Sequence, residues 1–233
     1  METSNRENFK IPSKLQMPLE ILGLVEGIKL FWSLPELTKE KTGKGETILV
    51  IPGFASDDNF LIPLRNFLQT LGYDTRGWGL GFNHGSVPEL LEPLNKLLNE
   101  IYSEKQRKVH LIGWSLGGYL AREIARDNPT LVDKLVTLGS PIIGGPKYTS
   151  IAALYSAQHG VDLDALEKEI DQRESNPIQN KILSIYSIND NIVSPNACID
   201  RLSPKATNVE VEGTHIGLIV NPEVYKLIKD FLA

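Results

Sequence analysis

The chain has 233 residues, of which 41% are hydrophobic and 23% charged, with a formal net charge of −5. That length suits one domain, residues 1–233, with a core large enough to need no staples, and the composition argues against a disordered or membrane-spanning chain. The acidic balance, with no Lys/Arg-rich stretch to offset it, repels a phosphate backbone, so nucleic acid is not an expected partner.

Residues 1–14 are polar and read as frayed. They lack the apolar core and small-residue cleavage site of a secretory signal, so a cytoplasmic location is expected. The single cysteine, Cys198, fits a reducing compartment and rules out an internal disulfide. Residues 19–34 read as an amphipathic helix with Ile21, Leu24, Val25, Ile28, Phe31 and Trp32 on one side. That side is expected to pack on the domain, with peripheral membrane contact through 19–34 as the sharper alternative. Glu20, Glu26 and Lys29 interrupt the run, which excludes a membrane span, and Pro35 is expected to close it.

Strands and helices then alternate. Strands are expected at 46–53, 73–78, 108–113, 131–138, 181–187 and 208–212. Helices are expected at 59–71, 88–102, 116–127 and 221–232, the last with Pro222 in its first turn. Such alternation predicts a mostly parallel sheet with helices on both faces. Residues 146–180 break it with a helical, acidic stretch, expected to form a small helical cap.

Gly113-Trp114-Ser115-Leu116-Gly117 matches G-x-S-x-G, and it sits between the expected strand VHLIG and the expected helix GYLAREIARD. That context matters more than the letters. A sharp strand-to-helix turn strains the serine backbone and lifts Oγ clear of the sheet, while the starting helix aims free N–H groups at developing negative charge. Ser115 is therefore the candidate nucleophile. An oxyanion hole needs two preset backbone donors. The candidates are Leu116, after the serine, and Phe54, in the turn Ile51-Pro52-Gly53-Phe54.

The base must come from four histidines. His110 lies inside a strand, and His159 lies in the inserted stretch. His215 follows the last strand and comes after the serine, as the fold requires. The acid should end a strand between Ser115 and His215. Asp190 does so, with Asp200 and Asp162 as alternatives. His84 lies in the loop GLGFNHG and could contact substrate, as could Phe82 and Trp114. Trp78 could line an acyl pocket or simply belong to the core.

VIPGFASD, HLIGWSLGGYLAREIA, the loop GWGLGFNHG, IYSINDNIVSP and VEGTHIGLIVNPEVY together resemble the bacterial lipase-like/esterase branch of the α/β-hydrolase superfamily. The resemblance runs from about residue 47 to the C-terminus. It implies an α/β-hydrolase fold, Ser115, Asp190 and His215 as a catalytic triad, and Phe54 and Leu116 as oxyanion donors. It also implies a small-molecule or lipid-like carboxylic ester as substrate. The expected chemistry is ester hydrolysis through an acyl-enzyme, with no metal or organic cofactor. Two alternatives stand beside it: acyl transfer to another acceptor by the same triad, and a non-catalytic binding protein that keeps the fold.

Overall fold

The computed structural model describes Arg6 and residues 9–233; the remaining part of the polar start lies outside the described residues. A six-stranded sheet organises the chain, in the order β2-β1-β3-β4-β5-β6. Its strands are β1 (Thr47–Ile51), β2 (Asp74–Gly77), β3 (Val109–Trp114), β4 (Val132–Leu138), β5 (Lys181–Ser187) and β6 (Ala206–Val211). Every neighbouring pair is parallel. The central strands read as near-continuous apolar runs because both faces are covered, and β1 is buried at every position.

The covering helices are α1 (Gly23–Leu37), α2 (Ile62–Thr70), α3 (Val87–Lys105), α4 (Leu116–Asp127), α5 (Ala152–His159), α6 (Leu163–Glu174) and α7 (Pro222–Leu232). They divide the core in two. On one face, Leu30, Leu64, Phe67 and Tyr225 pack with Ile48, Val50 and Ile112. On the other, Leu94, Leu98, Leu120 and Ile124 pack with Leu49, Leu111 and Leu135. Odd and even strand positions thus serve opposite layers, as the alternation of side chains along a strand demands. The inserted stretch folds as a short 3-10 turn, Gly145–Tyr148, followed by α5 and α6.

The N-terminal segment differs from its sequence reading in two ways. It begins as a 3-10 turn, Lys14–Leu22, and α1 runs past Pro35 to Leu37. A proline in the last turn removes one N–H there and does not stop the helix at once.

The second difference is its orientation. The side expected to pack faces solvent: Leu24 is 69% exposed and Trp32 76%, whereas Leu30 is 5% exposed. The buried line is Glu20, Gly23 and Leu30, with Leu34 and Leu37 packed at its end. Gly23 decides this. A Cβ there would lie 2.9 Å from the Gly217 nitrogen, so only glycine lets the helix approach this closely. Among the described residues no helix is long and apolar enough to cross a membrane.

Candidate active site

The turns leaving β1, β3, β5 and β6 meet at the carboxyl edge of the sheet, where open parallel sheets place their ligands. Ser115 follows β3 with φ 55° and ψ −127°, a left-handed strain unusual for a residue with a side chain. Its backbone N–H donates to Leu138 O at 2.8 Å, which fixes the turn to the end of β4. Ser115 occupies the N-cap position of α4, yet its side chain makes no capping bond. The hydroxyl is therefore not spent on its own helix. Gly53 stands directly behind it: a Cβ at Gly53 would lie 2.9 Å from Ser115 Cβ, so the turn after β1 needs glycine to pass.

Asp190 and His215 come together across 25 residues, with His215 Nδ1 2.6 Å from Asp190 Oδ2. Both side chains are almost wholly buried. Asp190 is held from its other side, where Oδ1 accepts the backbone N–H groups of Ile192 at 2.8 Å and Val193 at 2.7 Å. A carboxylate so clamped has little freedom to leave the imidazole. Burial opposes a charged His215, but the charge and hydrogen bond of Asp190, with the charge of Glu20, outweigh it and raise the imidazole above its ordinary value.

Trp114, beside the serine, donates its indole N–H to His215 O at 3.1 Å. Its ring lies 5.3 Å from the imidazole and stacks on Phe60 at 5.9 Å. The residue next to the nucleophile is thus packed against the candidate base. The alternative acids lie elsewhere. Asp200 is buried in an ion pair with Arg122 at 2.5 Å, and Asp162 caps α6 through Ala165 N at 2.8 Å. His110 is buried in β3, where burial lowers its pKa.

Above Ser115 lies an apolar cavity of about 60 Å³. Phe54 and Leu116 border it, as do Tyr119, Tyr155, Ile170 and Val193. Residues 146–170 therefore line much of it, through Pro146, Thr149, Ile151, Leu166 and Ile170. Sequence reasoning described that stretch as helical but named none of these contacts. Leu116 opens α4, so its N–H has no helical acceptor four residues back. Tyr155 donates to Gly85 O at 2.8 Å, and burial pushes its pKa up to about 12, which keeps it a neutral donor.

Three residues expected to contact substrate lie outside this lining. His84 and Phe82 are exposed and pack on each other at 5.1 Å, while Trp114 is buried between Phe60 and His215. Trp78 belongs to the core. The loop carrying His84 is held instead by Asn83, whose side chain donates to Pro52 O at 2.9 Å.

The α/β-hydrolase fold family matches residues 47–158. With the parallel sheet and the four converging turns, the chain has the α/β-hydrolase fold. A lipase of Bacillus licheniformis superposes with a TM-score of 0.67 at 14% identity, covering 81% of this chain and 92% of the lipase. A monoacylglycerol lipase of Paleococcus ferrophilus gives 0.61 at 17% identity, covering 81% and 95%. In sequence, the pimeloyl-[acyl-carrier protein] methyl ester esterase of Pectobacterium atrosepticum is 34% identical over 67 residues, 29% of this chain and 24% of that esterase. A Yersinia enterocolitica protein named as a carbamate hydrolase is 24% identical over 112 residues, 40% of its length. The chain therefore matches less than half the length of either relative.

Proposed function

We propose that this chain is a serine hydrolase of carboxylic esters, acting through an acyl-enzyme on Ser115. The observation that carries the reading is the strained Ser115 at the start of α4, under an apolar cavity, with the buried His215–Asp190 pair on the same sheet edge. Ser115 Oγ attacks the ester carbonyl carbon while His215 takes the hydroxyl proton. Asp190 holds the imidazole tautomer and offsets the charge that forms on it. The backbone N–H groups of Phe54 and Leu116 stabilise the tetrahedral oxyanion. His215 then protonates the leaving alcohol. In the second half it removes a proton from water, which attacks the acyl-enzyme and frees the acid.

The cavity sets the acyl group. A water-sized group needs about 10–15 Å³ in this measure, so 60 Å³ holds about four to six of them. That suits a short acyl chain, with residues 146–180 acting as a cap that shapes its pocket. The test is a panel of p-nitrophenyl esters of graded acyl length. Turnover should peak at short chains and fall steeply beyond them. A preference for long, insoluble esters would contradict the short-chain reading.

A further inference from the structure

Glu20 lies on the N-terminal 3-10 turn, far in sequence from the candidate triad, yet its carboxyl group is buried beside it. Oε1 accepts both the backbone N–H of Asn191 at 3.1 Å and its side-chain amide at 3.0 Å. Oε2 accepts the backbone N–H of Ile216 at 2.7 Å. Asn191 follows Asp190, and Ile216 follows His215. A single side chain therefore ties together the turns that carry the candidate acid and base.

Burying a carboxylate is costly unless its oxygens find donors, and here three N–H groups from the two turns supply them. The close approach of Gly23 to Gly217 anchors the same segment against the same turn.

We propose that Glu20 is a positioning residue for the His215–Asp190 pair, holding the two turns in register and placing a second negative charge behind the imidazole. The proposal rests on the triad reading above. A positive charge forms on His215 as Ser115 attacks, and a fixed carboxylate nearby favours it. The elements packed round His215 bring few other charges. Asp190 comes from the turn after β5 and Glu20 from the N-terminal turn, while Glu26 of α1 packs beside Gly213 and Gly217 with its side chain 13% exposed and 3.8 Å from Lys29 Nζ. Cys198 faces Asp190 and stays a neutral thiol, raised well above its ordinary value by burial and by that carboxylate. The raised pKa of His215 has Glu20 among its causes.

The test compares the wild-type chain, S115A, Glu20→Gln and Glu20→Asp in hydrolysis of p-nitrophenyl acetate between about pH 5 and 9. Rates are normalised to the serine titrated by a fluorophosphonate. Glu20→Gln removes the charge and leaves one of the two turns without an acceptor. Its kcat should fall about tenfold or more, with KM little changed, as small misplacements of catalytic groups produce. Its acid limb should move to lower pH, since loss of a negative neighbour lowers the pKa of His215. Glu20→Asp keeps the charge but is too short to reach both turns, so its kcat falls while the acid limb stays in place.

An unmoved acid limb in Glu20→Gln overturns the proposal, whatever happens to kcat. Should Glu20→Gln fail to fold, wild-type kcat per titrated serine in Glu20→Asp overturns it. Failure of the triad reading looks different: wild type is inactive, or S115A keeps its activity.

Discussion

Replacing Arg122 with methionine keeps most of the side-chain volume within α4 and deletes one fully buried charge. Arg122 bridges Asp200 at 2.5 Å and Glu174 at 3.0 Å, joining α4 to the end of α6 and to the segment before β6. Breaking a buried pair by removing one partner costs about 3–5 kcal/mol, because the other charge is left uncompensated. Here both carboxylates keep some support. Asp200 still accepts Leu202 N at 3.1 Å and Ser203 N at 2.9 Å, and Glu174 still pairs with Arg126. The low end applies, about 3 kcal/mol, which for a chain of this size lowers Tm by about 6–12 °C. Asp200 has a depressed pKa in the fold: burial opposes its charge, but Arg122 and the Ser203 N–H outweigh it. Its stabilisation is therefore present above the ordinary carboxylate value and lost as pH falls through the lowered one. The gap between variant and wild type should narrow below about pH 4. Thermal and urea unfolding at neutral and acid pH measure both effects. A Tm shift under about 2 °C at neutral pH would refute the reasoning.

Three further outcomes follow from the same geometry. Asp190→Asn should lower kcat by about 10⁴-fold, as loss of the orienting carboxylate does in such triads, and move the acid limb of the pH–rate profile to lower pH. In wild type that limb should lie above the ordinary imidazole value of 6.5, because a raised pKa keeps His215 protonated to higher pH. Leu30→Ala should cost about 2–4 kcal/mol in urea unfolding, whereas Trp32→Gln should change stability by about 0.5 kcal/mol or less, since only Leu30 is buried.

Much of the site was legible because the chemistry needs local patterns. The apolar run before Ser115 and the helix after it made G-x-S-x-G a turn and not a coincidence, and α4 spans the expected 116–127. Asp190 stood out as the candidate acid because it follows a strand, β5, whose bounds the β-branched and apolar pattern gave without error.

What was not legible depends on partners distant in sequence. The apolar spacing of α1 marked one face as distinct but not as buried. The buried line uses glycine and a carboxylate, which carry no hydrophobic signal. Gly23 and Gly27, set in the helix near Glu20, were the available sign of a close approach. Glu20 read as an interruption of an apolar run, because its donors lie about 170 to 200 residues away. The residues lining the cavity over Ser115 were not legible one by one for the same reason: composition marks the loop around His84 as polar and aromatic, while the docking of residues 146–170 over Ser115 decides what lines the cavity. Arg122 and Arg126 of α4, which pair with Glu174 of the acidic α6, were the sequence trace of that docking.

The central claim is that Ser115 is the group acylated. Reacting the folded protein with a fluorophosphonate and mapping the adduct by peptide mass spectrometry tests it most directly. The account predicts a single adduct on the peptide containing Ser115, loss of ester hydrolysis in proportion to labelling, and neither labelling nor turnover in Ser115→Ala. An adduct on another residue, or turnover that persists in Ser115→Ala, would contradict it.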